Sequence, residues 1–341
     1  MAETPSPDSP PRRSYRLGPI GLAAAGSLAL LLAAPTATLA QVAPGGLGTR
    51  VNGTALGRCS TGVCTVEGGT AAGRTLFHRF SQYDTRSGIR RVDLDSRGRA
   101  NVVVGVGHPN GSFFNAPLRL SGNANLFWLS PGGLWFGPTG QIQGATNLLL
   151  STAPTLRIGG GTFTAAGGLG DRLGDLGTDP PLDLEALARS GLDGSTLGTG
   201  DGPIVLAGGR LSVDRHLLLH SGAGPIRSAP GERMALEAGR SVQLSGGTLQ
   251  LQGLDIQAST SAADDLVRLR SGPLVGGGFG SLSLRDARLQ GTRVLIEGSG
   301  GLELERVEGR AGGAVEPGEV QIRGGVVAGQ GDVQLDDLSL Q

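Results

Sequence analysis

Residues 240–256 read Arg240-Ser241-Val242-Gln243-Leu244-Ser245-Gly246-Gly247-Thr248-Leu249-Gln250-Leu251-Gln252-Gly253-Leu254-Asp255-Ile256. Apolar and polar residues alternate with a period of two, and glycines interrupt the alternation. That period sends apolar side chains to one face of a strand and polar ones to the other. The glycines allow sharp corners. The pattern recurs in Ser281-Leu282-Ser283-Leu284, Arg293-Val294-Leu295-Ile296-Glu297, Gly301-Leu302-Glu303-Leu304-Glu305, Glu319-Val320-Gln321-Ile322-Arg323 and Asp332-Val333-Gln334-Leu335. Successive pieces start roughly 6 to 9 residues apart. Strands this short and frequent suit a solenoid. Three of them with their corners make about 20–25 residues per coil, each strand bonding its equivalent about 4.8 Å away. The chain would then form roughly ten coils and a rod on the order of 50 Å long. The expected fold is all-β: a single-stranded, right-handed parallel β-helix with a capping region at its N-terminus. A membrane barrel needs strands of ~9–11 residues and aromatic girdles. A sandwich suits the stretch from 164 onward less well than a thin solenoid core, because Phe279 is its one aromatic residue.

Composition narrows the function classes. The chain has 341 residues, 62 of them glycine, with 29 basic and 29 acidic side chains and a net charge of zero. All 29 basic residues are arginine. Without lysine there is no Walker-A phosphate loop, Schiff-base lysine or Ser-Lys dyad. Zero net charge with no basic cluster argues against a nucleic-acid partner. Four scattered histidines (His78, His108, His216, His220) and two cysteines make a structural zinc site improbable, so no metal and no cofactor are expected.

The first 40 residues have the layout of a signal peptide. Arg12, Arg13 and Arg16 precede an apolar stretch from Leu17 to Ala34, and small residues lead to Ala40-Gln41. Cleavage after Ala40 is expected, with export by the general secretory route. Interrupting glycines and a proline, and no later apolar span, argue against a membrane anchor. Export predicts a small-loop disulfide between Cys59 and Cys64, modest in effect because the loop is short.

Two compositions divide the mature chain. All seven asparagines lie between Asn52 and Asn147, and nine of the twelve aromatics lie between Phe77 and Phe136. Residues 41–165 therefore form one unit and 203–341 continue as coils. Residues 166–202 form a Gly/Asp-rich loop insertion with a short helix near Asp179–Arg189, where acids come early and arginine late. The run Gly167–Asp175 has the flavour of a calcium-binding nonapeptide, but its aspartate is one position early and the unit is not tandem, so it reads as a plain loop.

Residues 74–88 read Arg-Thr-Leu-Phe-His-Arg-Phe-Ser-Gln-Tyr-Asp-Thr-Arg-Ser-Gly, and residues 123–137 read Asn-Ala-Asn-Leu-Phe-Trp-Leu-Ser-Pro-Gly-Gly-Leu-Trp-Phe-Gly. This block resembles the N-terminal secretion domain of filamentous-haemagglutinin-type exoproteins of two-partner secretion systems. The family's Leu-Phe-His-x-Phe-x-x-Phe segment is matched by Leu76, Phe77, His78, Phe80 and Tyr83. Its Asn-x-Asn-Leu-Phe-x-x-Asn-Pro-Asn-Gly-Ile-x-Phe-Gly segment is matched by Asn123, Asn125, Leu126, Phe127, Pro131, Gly133, Phe136 and Gly137. The Leu-Phe-His variant resembles versions common in cyanobacteria. The family's Asn-Pro-Asn-Gly turn is here Ser130-Pro131-Gly132-Gly133. Serine can make the local backbone bond, and Gly132 is expected to supply the positive φ.

The resemblance implies a partner: an outer-membrane transporter whose periplasmic domains capture this region, through which the chain passes unfolded. Recognition by strand addition would use a stretch within Asn101–Phe136. The implied product is a secreted or surface-held exoprotein that has passed through the periplasm, acting as an adhesin on a host-cell or surface glycan or protein receptor, or as a structural rod. The residues also have plainer readings. Phe77, Phe80, Phe127, Trp135 and Phe136 read as core, His78 as a satisfied structural histidine, and Asn125 as a turn or ladder residue. Asn52-Gly53-Thr54 and Asn110-Gly111-Ser112 read as Asn-Gly turns. The alternative function is a β-helical carbohydrate-binding or polysaccharide-degrading protein, whose site would need converging carboxylates. The paired aspartates Asp264-Asp265 and Asp336-Asp337 read as solvated corners, so no enzymatic activity is expected. The chain stops within its strand pattern at Gln341. It therefore reads as a fragment, a short member or half of a split rod.

Overall fold

The structure, a computed structural model, describes residues 40–158, 160–178, 183–190, 196–272, 278–312, 318–324 and 333–340. The targeting segment at 1–39 lies outside them. The described residues form an all-β protein whose pairing is mostly parallel, with one 25-stranded sheet and a separate two-stranded one.

The alternating segments align as three parallel ladders, which the chain visits repeatedly in the same order. The first runs through Ser112–Phe114, Leu134–Phe136, Ile204–Leu206, Pro225–Ser228 and Thr248–Gln252. The second runs through Gly62–Gly68, Ile89–Leu94, the start of Pro117–Leu129, the start of Gln141–Ser151, Gly209–Val213, Met234–Ala238 and Leu254–Ala258. The third runs through Thr75–Asp84, Asn101–Val106, the ends of Pro117–Leu129 and Gln141–Ser151, then His216–His220, Ser241–Gly246, Leu266–Ser271, Arg293–Gly298 and Glu319–Arg323. Leu126 pairs with Leu148, Ser241 with Leu266, and Leu266 with Arg293, steps of 22, 25 and 27 residues. The long strands Leu282–Gly291, Leu302–Ala311 and Val333–Leu340 each serve two ladders by bending at a corner. Asp286 and Arg306 take left-handed φ values of 50° and 51° at those bends.

Alternation fills the interior. Val104, Trp128, Leu150, Leu219, Leu244, Leu269 and Ile296 stack in register on the third ladder and are at most 1% exposed. They belong to one apolar cluster that continues from Val42 to Val307. Burial of such columns by neighbouring coils is the main stabilising term in repeat architectures.

The first coil is sealed. Val42–Gly46 and Thr70–Ala72 run antiparallel to Thr75–Asp84, and Thr49–Val51 runs antiparallel to Gly62–Gly68. These short strands occupy an edge that would otherwise template aggregation. Cys59 and Cys64 are disulfide-bonded in this cap, with Cα atoms 5.7 Å apart. Asn52 and Gly53 form a left-handed turn, and the Asn52 side chain accepts the Thr65 N–H at 2.9 Å.

In its earlier coils the third ladder is buried on both faces. Its strands contain unbroken apolar runs, such as Val102-Val103-Val104 and Leu217-Leu218-Leu219, as two-sided burial requires. The outer column Phe77, Val103, Phe127, Leu149 and Leu218 forms a second apolar cluster with residues of the excursion between the fourth and fifth coils. That excursion is a cover. It contains the antiparallel hairpin Thr155–Ile158 and Gly161–Thr164 and the helices Leu173–Thr178 and Leu184–Ser190. Asp183 begins the second helix by accepting the Glu185 N–H at 2.9 Å. At Gln243 the outer column turns polar, and its amide donates to the Ala188 carbonyl at 2.7 Å. No helix among the described residues is long and apolar enough to cross a membrane.

Candidate functional site: the first coils and their cover

Strand Thr75–Asp84 distributes the first motif between two cores. Leu76, Phe80 and Tyr83 enter the main core, while Phe77 enters the second core under the cover. His78 is fully buried. Its Nδ1 lies 3.3 Å from the Thr49 hydroxyl, which also accepts the Arg79 N–H at 3.1 Å. The His78 Nε2 is buried with no hydrogen-bond partner, so the ring is only half satisfied. Burial pushes its pKa down to about 4, against a smaller upward pull from Asp95.

Trp128 sits at the centre of the interior aromatic group. Tyr83 and Phe114 meet it edge-on at 4.6 and 5.0 Å, Phe80 stacks at 6.0 Å, and Phe136 stacks on Phe114 at 4.6 Å. The Tyr83 hydroxyl is buried with no partner, and burial pushes its pKa up. A buried hydroxyl without a partner is destabilising. Tyr83→Phe should therefore raise stability by about 1 kcal/mol, read as a higher urea midpoint at unchanged slope. A lower midpoint would mean that the hydroxyl is paired.

Trp135 is not core, contrary to expectation. It is half-buried on the outer face, stacked on Phe113 at 4.6 Å. The Arg86 guanidinium covers Phe113 at 3.8 Å and is held by Asp84 at 2.6 Å. Successive coils place these rings face to face, because Trp135 follows Phe113 in register on the first ladder.

The second motif spans one corner, one strand and the next corner. Asn123 is exposed. Asn125 belongs to an asparagine ladder. Its amide donates to Asn101 Oδ1 at 2.8 Å, the Asn147 amide donates to Asn125 Oδ1 at 2.8 Å, and Asn147 Oδ1 accepts the His216 N–H at 3.0 Å. Leu126 points into the main core and Phe127 into the second. The Ser130 hydroxyl donates to the Gly133 carbonyl at 2.8 Å, and Ser221 makes the same bond to Gly224 at 2.7 Å two coils on. The left-handed residue is Gly133, with φ of 114°, and not Gly132. Gly132 is required for another reason: a Cβ there would lie 2.2 Å from the Pro109 carbonyl of the preceding corner. Ser130, Gly133 and Phe136 are buried, while Pro131 and Gly132 are half-buried.

Sequence reasoning missed Arg79, the variable position of the first motif. Its guanidinium donates to the Thr164 carbonyl at 2.8 Å, to the Ala165 carbonyl at 3.3 Å and to Asp171 Oδ2 at 2.6 Å. Asp171 Oδ1 accepts the Thr164 N–H at 2.9 Å. The aspartate of the glycine run thus clamps the cover to the first coil. A buried ion pair is costly to break by removing one partner. Arg79→Met should destabilise the cover by about 3 kcal/mol. The expected readout is faster proteolysis within 160–178 and greater binding of a hydrophobic dye to the exposed stripe. Unchanged cleavage would show that the cover is held by its apolar contacts alone.

Contrary to the expectation of a solvated corner at Asp264-Asp265, only Asp264 is exposed. Asp265 is fully buried and accepts from the Ser261 and Ala262 N–H groups at 3.0 and 2.9 Å. Burial acts to raise its pKa, but hydrogen bonds from Ala262, Ser259, Arg240 and Ser261 hold it below the usual carboxylate range. Among the described residues, no group of three or more His, Cys, Asp or Glu side chains could hold a metal ion.

No family model and no curated protein matches the chain. Among solved structures, it is similar to the filamentous hemagglutinin secretion domain, with 13% identity and a TM-score of 0.31, over 86% of this chain and 99% of that one. It is also similar to the HMW1 secretion domain from Haemophilus influenzae, with 13% identity and a TM-score of 0.35, over 86% of this chain and 82% of that one.

Proposed function

We propose that the chain is a secreted or cell-surface exoprotein of a two-partner secretion system. Residues 41–165 are its export address, read by the periplasmic domains of an outer-membrane transporter. The three ladders wind as a right-handed single-stranded β-helix, serving as a rod or haemagglutinin-like adhesin that meets a surface glycan or protein receptor. The protein is non-catalytic in this reading. The carboxylates gathered on the outer face, such as Asp286 and Glu303, are engaged by Arg306 and Arg285 at 2.5 Å.

One observation carries the reading: both family motifs fall in the first coils, and their side chains except Asn123 are buried or half-buried. Phe77, Phe127 and Trp128 are fully buried, and both edges of Asn101–Val106 are already paired. A partner that reads these residues, or adds a strand to them, must do so before the chain folds. Threading of an unfolded chain through a transporter meets that condition. Coils made of local contacts can then fold as they emerge.

Deleting residues 41–165 should abolish surface appearance and leave the remainder inside the cell envelope, as measured by protease accessibility on intact cells. Unaltered surface levels would sink the proposal.

A further inference from the structure

The later coils carry a groove on the outer face of the first ladder. Leu249, Leu251, Leu282, Leu284, Leu302 and Leu304 enter the core, so the residues between them face outward. Gln250, Ser283 and Glu303 follow one another in register on successive coils, about 4.8 Å apart. A short side chain therefore sits between two long ones. Ser281 and Gly301 leave the adjoining positions low as well. The resulting depression measures about 660 Å³ and is walled by Gln250, Gln252, Arg285 and Glu303. That is within the ~300–1,000 Å³ range of small-molecule sites, but its lining is polar where such sites are mostly apolar.

Two further features fix the chemistry. Arg285 and Glu303 are the only charged residues of the lining. They pair at 2.5 Å, and the Ser283 hydroxyl donates to the other Glu303 oxygen at 2.9 Å. The groove is thus electrically neutral while its hydrogen-bonding surface stays open. The Gln250 amide and the Ser281 hydroxyl are exposed and make no hydrogen bond among the described residues. Phe279, the one aromatic residue after Phe163, is 40% exposed and stands at the end of the groove. It lies against Gly300, where an added Cβ would come 3.2 Å from the Phe279 Cβ, and the lining residue Gly301 follows in the chain.

We infer that this groove binds an uncharged oligosaccharide, part of a surface glycan; the inference rests on the adhesin part of the reading above and not on the export part. A sugar ring presents hydroxyls at its rim and C–H groups on its faces. Amides and hydroxyls serve the first as donors and acceptors at once. A phenyl ring packs against the second. The stacked coils offer one polar group per step along the rod, as a chain of sugar units requires. A polyanion would have to displace Glu303 from Arg285. A protein partner would find no apolar centre, because the lining leucines Leu251, Leu282 and Leu302 are at most 2% exposed.

The test is titration calorimetry of the purified full-length chain with cellohexaose, mannohexaose and chitohexaose, and with a heparin hexasaccharide as the anionic comparison. At least one neutral hexamer should bind, with little dependence on salt. Phe279→Ala and Gln250→Ala should each weaken that binding about tenfold, as expected for one stacked ring or one hydrogen-bonded amide. Both should leave thermal unfolding unchanged, because the side chains are exposed. Ser283→Trp, which fills the groove, should abolish binding. Binding unaffected by all three variants would put the sugar elsewhere and overturn the inference. Binding of the heparin hexasaccharide alone, or of none of the four, would overturn it too. Adherence of the immobilised chain to erythrocytes separates this inference from the adhesin reading. If the unaltered chain and the Phe279→Ala, Gln250→Ala double variant adhere equally, the inference fails and the adhesin reading survives. If a neutral hexamer binds the groove but the chain does not adhere, the adhesin reading fails while sugar binding stands.

Discussion

Trp128→Ala is expected to lower the unfolding free energy by about 5 kcal/mol, at the upper end for truncating a buried aromatic. The indole is fully buried and touches the rings of Tyr83, Phe114 and Phe80. Aromatic pairs of this kind add about 0.5–1.5 kcal/mol each beyond area burial. Its N–H donates to the Ser112 hydroxyl at 3.0 Å, Ser112 donates to Ser130 at 2.9 Å, and Ser130 donates to the Gly133 carbonyl at 2.8 Å. Truncation therefore opens a cavity and strips a donor from a buried relay in one step. Stability in stacked coils is a sum of neighbour terms, so the loss should appear first in the coils around 75–150. Urea denaturation with hydrogen exchange resolved along the chain measures both. Trp128→Phe, which keeps a ring but removes the donor, should cost about 2 kcal/mol. A change below 1 kcal/mol for the alanine variant would show that this core repacks freely.

Acid is expected to weaken the protein by about 6 kcal/mol between pH 6.5 and pH 4. Burial pushes His78 and His220 down from 6.5 to about 4. Each has a buried ring nitrogen with no hydrogen-bond partner. The unfolded chain binds these protons below pH 6.5, while the folded chain refuses them until about pH 4. Stability is thus unaffected above pH 6.5, falls through this window, and levels off below it. Each histidine contributes about 3 kcal/mol. His216, half-buried, is shifted in the same direction by burial. The hydrogen-bonded Asp265, held below its ordinary 3.8, adds its loss only at lower pH. His78→Gln and His220→Gln should each remove about half of the pH dependence, whatever their effect at neutral pH. Parallel stability–pH curves for the variants and the unaltered chain would contradict the assignment.

The sequence made the ladders legible because parity is local. Thr248-Leu249-Gln250-Leu251-Gln252 states which side chains point inward without reference to any other segment, and its strand lies where the alternation placed it. Asn125, read from the sequence as a turn or ladder residue, is a ladder residue whose partners recur at the coil spacing. What covers an outward face is not local. Arg79 meets Asp171 across 92 residues, and nothing in the Leu-Phe-His-Arg-Phe stretch announces it. A weaker signal was present in the runs Val102-Val103-Val104 and Leu148-Leu149-Leu150, which break alternation and so demand burial on both sides. Trp135 was misplaced because an aromatic beside Phe136 has the opposite parity, and only the stack on Phe113 gives it a place. Gly132 was assigned a left-handed φ when its constraint is the neighbouring corner, a contact set by coil spacing rather than by the turn itself.

The most direct test of the export reading is surface protease accessibility of the full-length chain in cells with and without a co-expressed outer-membrane barrel transporter that carries periplasmic domains, taken from the same source. The account predicts that the chain is cleaved on intact cells, or found in the medium, only when the transporter is present. In its absence the chain should remain protected within the envelope. Equal surface exposure in both strains would contradict it.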